Sequence, residues 1–244
     1  MQLRNEKVWR YMDFAKYVSL LNSSELYLSR ADNFDDNFEG LLPKRVLNRL
    51  SEVWRMTPAK VLEFYNYCKQ WVYINCWYKS EHESDAMWKL YSSNSYALAI
   101  QSTREKLESC LNDNYKLLDI QYIDYEKEDV RQIVFPTLYS IKRNHFEHEN
   151  ELRIYKEDLL ENKNVVQIIN ENGNLVWKAN YGLKNLAPGD SLKVNLNQLI
   201  ENVYISPNSP RWFEELVRDI TKNKVRNNLS CDIVKSAIGE NYLY

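Results

Sequence analysis

HFEHENELRIYKED, residues His145–Asp158, places two glutamates and an arginine among alternating apolar residues. Read as a strand, its successive side chains alternate between two faces. Leu152 and Ile154 then point one way, and Glu149, Glu151 and Arg153 the other. Residues two apart on a strand are about 7 Å apart at a rise of roughly 3.3 Å per residue, so the glutamates would form a pair. A Glu-Glu-Arg row on one face is either a solvated surface or the wall of a site.

Strands and helices alternate irregularly on both sides of this stretch. Upstream, Tyr115–Ile123 (YKLLDIQYI) reads as a strand, and Lys127–Lys142 as a helical region interrupted near Pro136. Downstream, NVVQIIN and NLVWKA flank ENG, a hairpin signal. NVYIS (202–206) is a late strand. Ser209 and Pro210 open a helix burying Phe213, Leu216, Val217 and Ile220, and SCDIVKS (230–236) closes the sheet.

Nearer the N-terminus, EKVWRYM (6–12) is a strand, and Asp13 caps a helix with Phe14, Tyr17, Val18 and Leu21 on one face. ELYLS (25–29) alternates as a strand, and RADNFDDNFEG (30–40) is a turn-rich loop. Helices follow over 43–54 and 58–69, then WVYINCWYK (71–79) as a buried strand. Ser80 with Glu83 has capping-box spacing, before a helix presenting Met87, Leu90 and Tyr91. SYALAIQ (95–101) is a strand. Ser102 with Glu105 is a second capping-box pattern, before Leu107, Cys110 and Leu111. With no repeat or linker, the reading is a single α+β domain spanning 1–244, a mixed or antiparallel sheet with flanking helices.

Composition narrows the function classes. Among 244 residues, 44% are apolar and 27% charged, with net charge −2, so no global field draws the chain to nucleic acid or membrane. Four scattered cysteines without a C-x-x-C, and three histidines, argue against a zinc site. No leader follows MQLRNEKVW and no run spans a bilayer, so a reduced cytoplasmic protein with no membrane partner and no metal is expected.

Three blocks resemble a bacterial family catalogued as domain-of-unknown-function family 2971. They are VWRYMDFAKYVSLLNSSELYLSRADNFDDNFEG, YINCWYKSEHESDAMWKLYSSNSYALAIQ and HFEHENELRIY; the tail LIENVYISPNSPRWFEELV is similar to the family's end. The family carries no assigned activity. A second resemblance, by pattern, is to ADP-ribosyltransferases. VWRYMDFAKYVSLLNSSELYLS looks like their strand-helix-strand start, with Arg10 in the first motif position. ENELRIY looks like their late glutamate strand, with Glu151 in the glutamate position and Glu149 two before it. The middle motif matches poorly, at Tyr27 and Ser29. This resemblance implies a split sheet, NAD as substrate, and an acceptor that is a protein or a nucleic acid. A toxin or phage-defence role follows by analogy only.

The chemistry suits the residue types. Cleaving the nicotinamide–ribose bond passes through an oxocarbenium-like state, as in glycoside cleavage. A fixed carboxylate, Glu151, can stabilise that charge, and a second, Glu149, can orient or deprotonate the acceptor. Arg10 can grip a pyrophosphate with its planar fork, and Tyr27, Ser29, Trp88 and Arg153 complete the expected cofactor pocket. On this reading Glu151→Gln leaves the melting temperature nearly unchanged.

Other readings stand beside this one. Trp88 and Tyr91 on an apolar helix face are more often core than site. His145 and His148 suit exposed positions. In the loop, Asp32, Asp35, Asp36 and Glu39 can bind Mg²⁺ or Ca²⁺, but without calcium-loop spacing they are better read as turn-forming, with Phe34 and Phe38 plugging the core. A metal-dependent nuclease would use Asp35, Asp36, Glu149 and Glu151. A non-enzymatic binding module would instead offer exposed aromatics.

Overall fold

WVYINCWYK forms the strand on which the sheet is organised. The computed structural model describes residues 5–91, 96–131, 134–169, 173, 175–223 and 229–238. Its strands are β1 (Lys7–Asp13), β2 (Glu25–Arg30), β3 (Val72–Lys79), β4 (Ala97–Thr103), β5 (Lys116–Asp119), β6 (Gln121–Ile123), β7 (Ile141–Arg143), β8 (Glu151–Glu157), β9 (Val165–Ile169), β10 (Leu175–Ala179), β11 (Gly189–Lys193), β12 (Asn202–Ile205) and β13 (Asp232–Lys235). Its helices are α1 (Phe14–Ser23), α2 (Lys44–Trp54), α3 (Pro58–Cys68), α4 (Asp85–Tyr91), α5 (Arg104–Ser109), α6 (Phe135–Leu138), α7 (Leu196–Leu199) and α8 (Arg211–Asn223). The fold is α+β, a mixed sheet with flanking helices.

Among the described residues, nine strands form one sheet in the order β11-β2-β3-β1-β4-β12-β13, with β8 and then β5 on the other side of β3. All its pairs are antiparallel except β12–β13. One edge of β3 pairs with β8 from Val72 to Tyr78. The other edge is shared: β2 pairs at Tyr73 and Ile74, β1 at Tyr78 and Lys79. Residues 75–77 meet neither strand there, and the sheet forks.

Buried backbone polar groups must find partners, so a fork needs side chains to replace the missing ladder. Asn75 Nδ2 donates to the Tyr27 carbonyl at 2.8 Å, and Trp77 Nε1 fixes Asn75 Oδ1 at 2.7 Å. Across the gap, Arg10 Nη1 donates to the Cys76 carbonyl at 2.7 Å.

The faces of the sheet carry separate cores, because alternate strand residues point oppositely. On one face, Met12, Leu28, Trp77, Ile100, Leu152 and Ile154 pack with Tyr17 of α1, Leu107 of α5, Leu199 of α7 and Val217 of α8. On the other, Val72, Ile74 and Tyr155 pack with α2, α3 and the β9–β10 hairpin. A third cluster, Trp9, Tyr11, Ala97 and Ala99 under Met87 and Trp88 of α4, lies on that same face beyond the fork. A central strand covered on both faces explains the apolar run of β3, interrupted only by Asn75 before the terminal Lys79.

The local signals mostly behave as read. Asp13 caps α1, accepting from Lys16 N at 2.8 Å, and Pro58 takes the first turn of α3, behind a Thr57 cap absent from the sequence reading. Both capping boxes shift. Ser84, not Ser80, accepts from Met87 N, while Glu83 Oε2 takes the indole N–H of Trp88 at 3.0 Å. On α4, Trp88 turns inward, and Leu90 and Tyr91 are exposed. β4 runs one residue past Ser102, so Thr103 caps α5 and the buried Ser102 hydroxyl donates to the Leu199 carbonyl. Ser209 donates to the Ser206 carbonyl rather than capping α8.

Among the described residues of 127–142, the only helix or strand segments are α6 and the start of β7; Pro136 sits in the first turn of α6. Residues 115–123 split at Ile120, since β5 pairs with β8 and β6 with β7. Ser95, and Glu171 and Asn172 of the hairpin turn, lie outside the described residues.

Candidate functional site

The opening stretch does not form one strand. Asn144–Glu149 is a 3₁₀ helix, Asn150 turns the chain at φ 34°, and β8 begins at Glu151. Glu149 therefore approaches Glu151 from a turn, not from the same strand face. Glu151 and Arg153 do oppose Leu152 and Ile154, but their face is not wet: Arg153 is 0% exposed.

Burial of these charges is tolerated because they are paired. Arg153 holds Glu39 with two parallel bonds, Nη1 to Oε1 at 2.7 Å and Nη2 to Oε2 at 2.9 Å. Its Nε donates to Glu151 Oε2 at 2.5 Å, and its Nη1 also to the Tyr139 carbonyl at 3.1 Å. Lys142 Nζ bridges Glu151 Oε1 at 2.8 Å and Glu149 Oε2 at 2.5 Å. The turn that brings Glu39 inward depends on Gly40 at φ +64°, where a Cβ would meet the Tyr139 ring at 2.5 Å.

Two cations thus meet three carboxylates in this chain of contacts. Burial alone would raise Glu151, but the Arg153 and Lys142 charges hold its carboxyl well below the ordinary range. For Glu149, burial and the adjacent Glu151 outweigh Lys142 and push the carboxyl up to about 7. Environments that drive two neighbouring carboxyls apart mark a division between proton carrier and fixed charge.

Both glutamates line a cavity of about 600 Å³ at the fork, within the roughly 300–1,000 Å³ typical of small-molecule sites. Arg10, Cys76, Tyr11, Tyr78 and Tyr91 line it beside them. Toward α1 and β2 it continues past Lys16, Ser19, Tyr27, Ser29 and Ser191. Tyr11 and Tyr91 stack with centroids 6.4 Å apart, giving that end an aromatic wall. Burial pushes the Cys76 thiol up to about 12, aided by Glu151, so it is a poor nucleophile there. Burial also lowers the Arg10 guanidinium from its ordinary value.

Of the residues expected in one pocket, Arg10, Tyr27, Ser29, Glu149 and Glu151 line it. Two expectations need correction. Trp88 is 2% exposed, packed in the third core and bonded to Glu83. Arg153 lies beneath Glu151 with its donors committed to carboxylates and a carbonyl. Neither is among the lining residues. Tyr27 is half exposed, its hydroxyl donating to the Pro188 carbonyl at 2.7 Å. Glu151 is also a structural partner of two buried cations, which argues against the expectation that Glu151→Gln leaves stability alone.

The acidic loop is engaged by protein cations. Asp32 pairs with Arg30, Asp36 with Arg143 at 2.8 Å, and Glu39 with Arg153. Asp36 also accepts from Phe38 N, the expected turn bond. Phe38 does not plug the core; it is 46% exposed, with the Arg143 guanidinium 4.1 Å from its ring centre. A guanidinium, not a metal-sized gap, separates Glu39 from Glu151. Among the described residues, no group of three or more His, Cys, Asp or Glu side chains is arranged to hold a metal ion, and His145 and His148 are exposed.

Lys142 and Asn75 escaped the sequence reading, and Glu39 was expected only as a loop acid, not as the partner of Arg153. Asn75 alone carried a signal: a polar amide in an otherwise apolar strand must be bonded, and a fork is one way to bond it. Among the described residues, no helix is long and apolar enough to cross a membrane. Compared with protein-family models, curated proteins and solved structures, the chain finds no match.

Proposed function

We propose that the fork cavity is the site of an ADP-ribosyltransferase-like, NAD-consuming enzyme, and that the chain is a member of the bacterial family its motifs resemble. The observation that carries the reading is the Glu149–Glu151 pair: one carboxyl held ionised and its neighbour titrating near pH 7, both on a cavity that Arg10 also lines. In the reaction, the ribose–nicotinamide C–N bond breaks and its electron pair leaves with nicotinamide, which becomes neutral. The acceptor oxygen or nitrogen forms the new bond to the same ribose carbon, and its proton passes to Glu149. Glu151 supplies fixed negative charge near the cationic ribose. Arg10 uses one guanidinium donor on Cys76, which leaves others for a pyrophosphate. The acceptor is water, a protein or a nucleic acid. A bacterial cytoplasm suits four unpaired cysteines, and a toxin or phage-defence role suits NAD consumption.

The nuclease alternative has less support, since Asp36 and Glu39 are already paired with arginines. A binding module gives no reason for the divided carboxyl pair.

The test is calorimetric titration with NAD, with nicotinamide release followed by chromatography. Binding is expected at submillimolar NAD. Glu149→Gln should keep affinity and lose about 10²–10³ in turnover, typical of removing one such group. No binding at millimolar NAD would end the reading.

A further inference from the structure

Lys142 has no place in either motif resemblance, yet its ammonium sits between the two glutamates. It is 7% exposed, on the short strand β7, and the Phe146 ring lies 4.8 Å from its nitrogen. Phe146 belongs to the same 3₁₀ turn as Glu149, so ring and carboxylate grip the ammonium from one element. A compact ammonium offers three donors, and bonds to two different carboxylates set their separation. Arg153 cannot do this for Glu149, because its contacts go to Glu39, Glu151 and the Tyr139 carbonyl.

We infer that Lys142 is a positioning residue: it pins Glu149 beside Glu151 on the cavity wall, so the pair presents one proton-accepting carboxylate to the site. Its part in turnover rests on the NAD-consuming reading; its hold on Glu149 does not. The groups facing Glu149 are Lys142 from β7, Glu151 from β8, Tyr91 from α4 and Tyr122 from β6. Glu147 and His148 adjoin it on its own turn and are exposed. Lys142 is the cation in direct contact with Glu149, so its removal acts in one direction, favouring the protonated acid.

The test reads Glu149 directly, by ¹³C NMR titration of its carboxyl in the native protein, in Lys142→Met and in Lys142→Arg. The native midpoint is expected near pH 7, as burial and Glu151 dictate. Lys142→Met should raise it by roughly 1–3 units, the usual effect of an adjacent opposite charge. Lys142→Arg, which keeps the charge, should return the midpoint most of the way to the native value. The pH profile of nicotinamide release should move to alkaline pH in step, since the base works only when ionised. An unmoved Glu149 midpoint in folded Lys142→Met would overturn the assignment. Should that variant fail to fold, ¹⁵N NMR of the Lys142 ammonium decides instead. Its protons should exchange with water faster in Glu149→Gln than in the native protein, and equal exchange would overturn it. A shifted midpoint without NAD binding at millimolar ligand would support Lys142's hold on Glu149 and refute the NAD reading.

Discussion

The two edges of β3 meet the same demand in opposite ways. Along β8 every residue from Val72 to Tyr78 has a ladder partner, and behind that ladder Arg153 spends its guanidinium on Glu39, Glu151 and the Tyr139 carbonyl. Along the other edge β1 and β2 part, and Arg10 spans the gap with one bond to Cys76. Cys76 stands between the two arginines, paired with Arg153 in the ladder and bonded through its carbonyl to Arg10. Both arginines look alike as ligand groups in the sequence. The difference teaches that an arginine's availability depends on how many of its donors the fold has already used.

The largest test of that comparison is Arg153→Met. It strands Glu39 as a buried carboxylate and leaves Glu151 to Lys142 alone, and breaking a buried pair costs about 3–5 kcal/mol. Denaturant unfolding at pH 7 measures it, and a cost under about 1 kcal/mol would show that the closed edge is no frame. Next comes Glu151→Gln, expected to cost about 1–3 kcal/mol by leaving charged donors short of a partner. The sign with pH follows from a folded value below the ordinary one. The contribution is present above about pH 4.3 and lost as pH falls through the folded value, so the variant's deficit should shrink in acid.

On the open edge, Arg10→Ala should cost only about 1 kcal/mol of stability, since it removes a single hydrogen bond to the Cys76 carbonyl. It should weaken NAD binding by about 10–100-fold, the usual loss for a charge-assisted bond. Equal stability losses for the two arginine variants would erase the distinction between the edges. The smallest effect is a slope. Glu149 is raised in the fold, so its contribution is complete below about pH 4.3 and lost as pH climbs through about 7. Glu149→Gln removes that loss, so melting curves should favour the variant more at pH 8 than at pH 5.

Much of this was legible in the chain. The apolar run of β3, the alternation of β2, the cap at Asp13 and Pro58 in the first turn of α3 act over a few residues, where steric and hydrogen-bonding preferences decide locally. Arg10, Glu149 and Glu151 stood out because charged residues interrupt those patterns. The helix read over 127–142 failed because short segments take their form from neighbours, and β7 exists through pairing with β6.

The chain alone set the α+β class, most of the strands and five residues of the cavity. Only the tertiary structure decided that β1 and β2 part on β3, that Lys142 joins two glutamates, and that Glu39 meets Arg153 from 114 positions away. The reason is range. Alternation and capping are set by covalent neighbours, whereas a buried charge takes whichever partner chain closure brings within about 3 Å, where pairing offsets its desolvation.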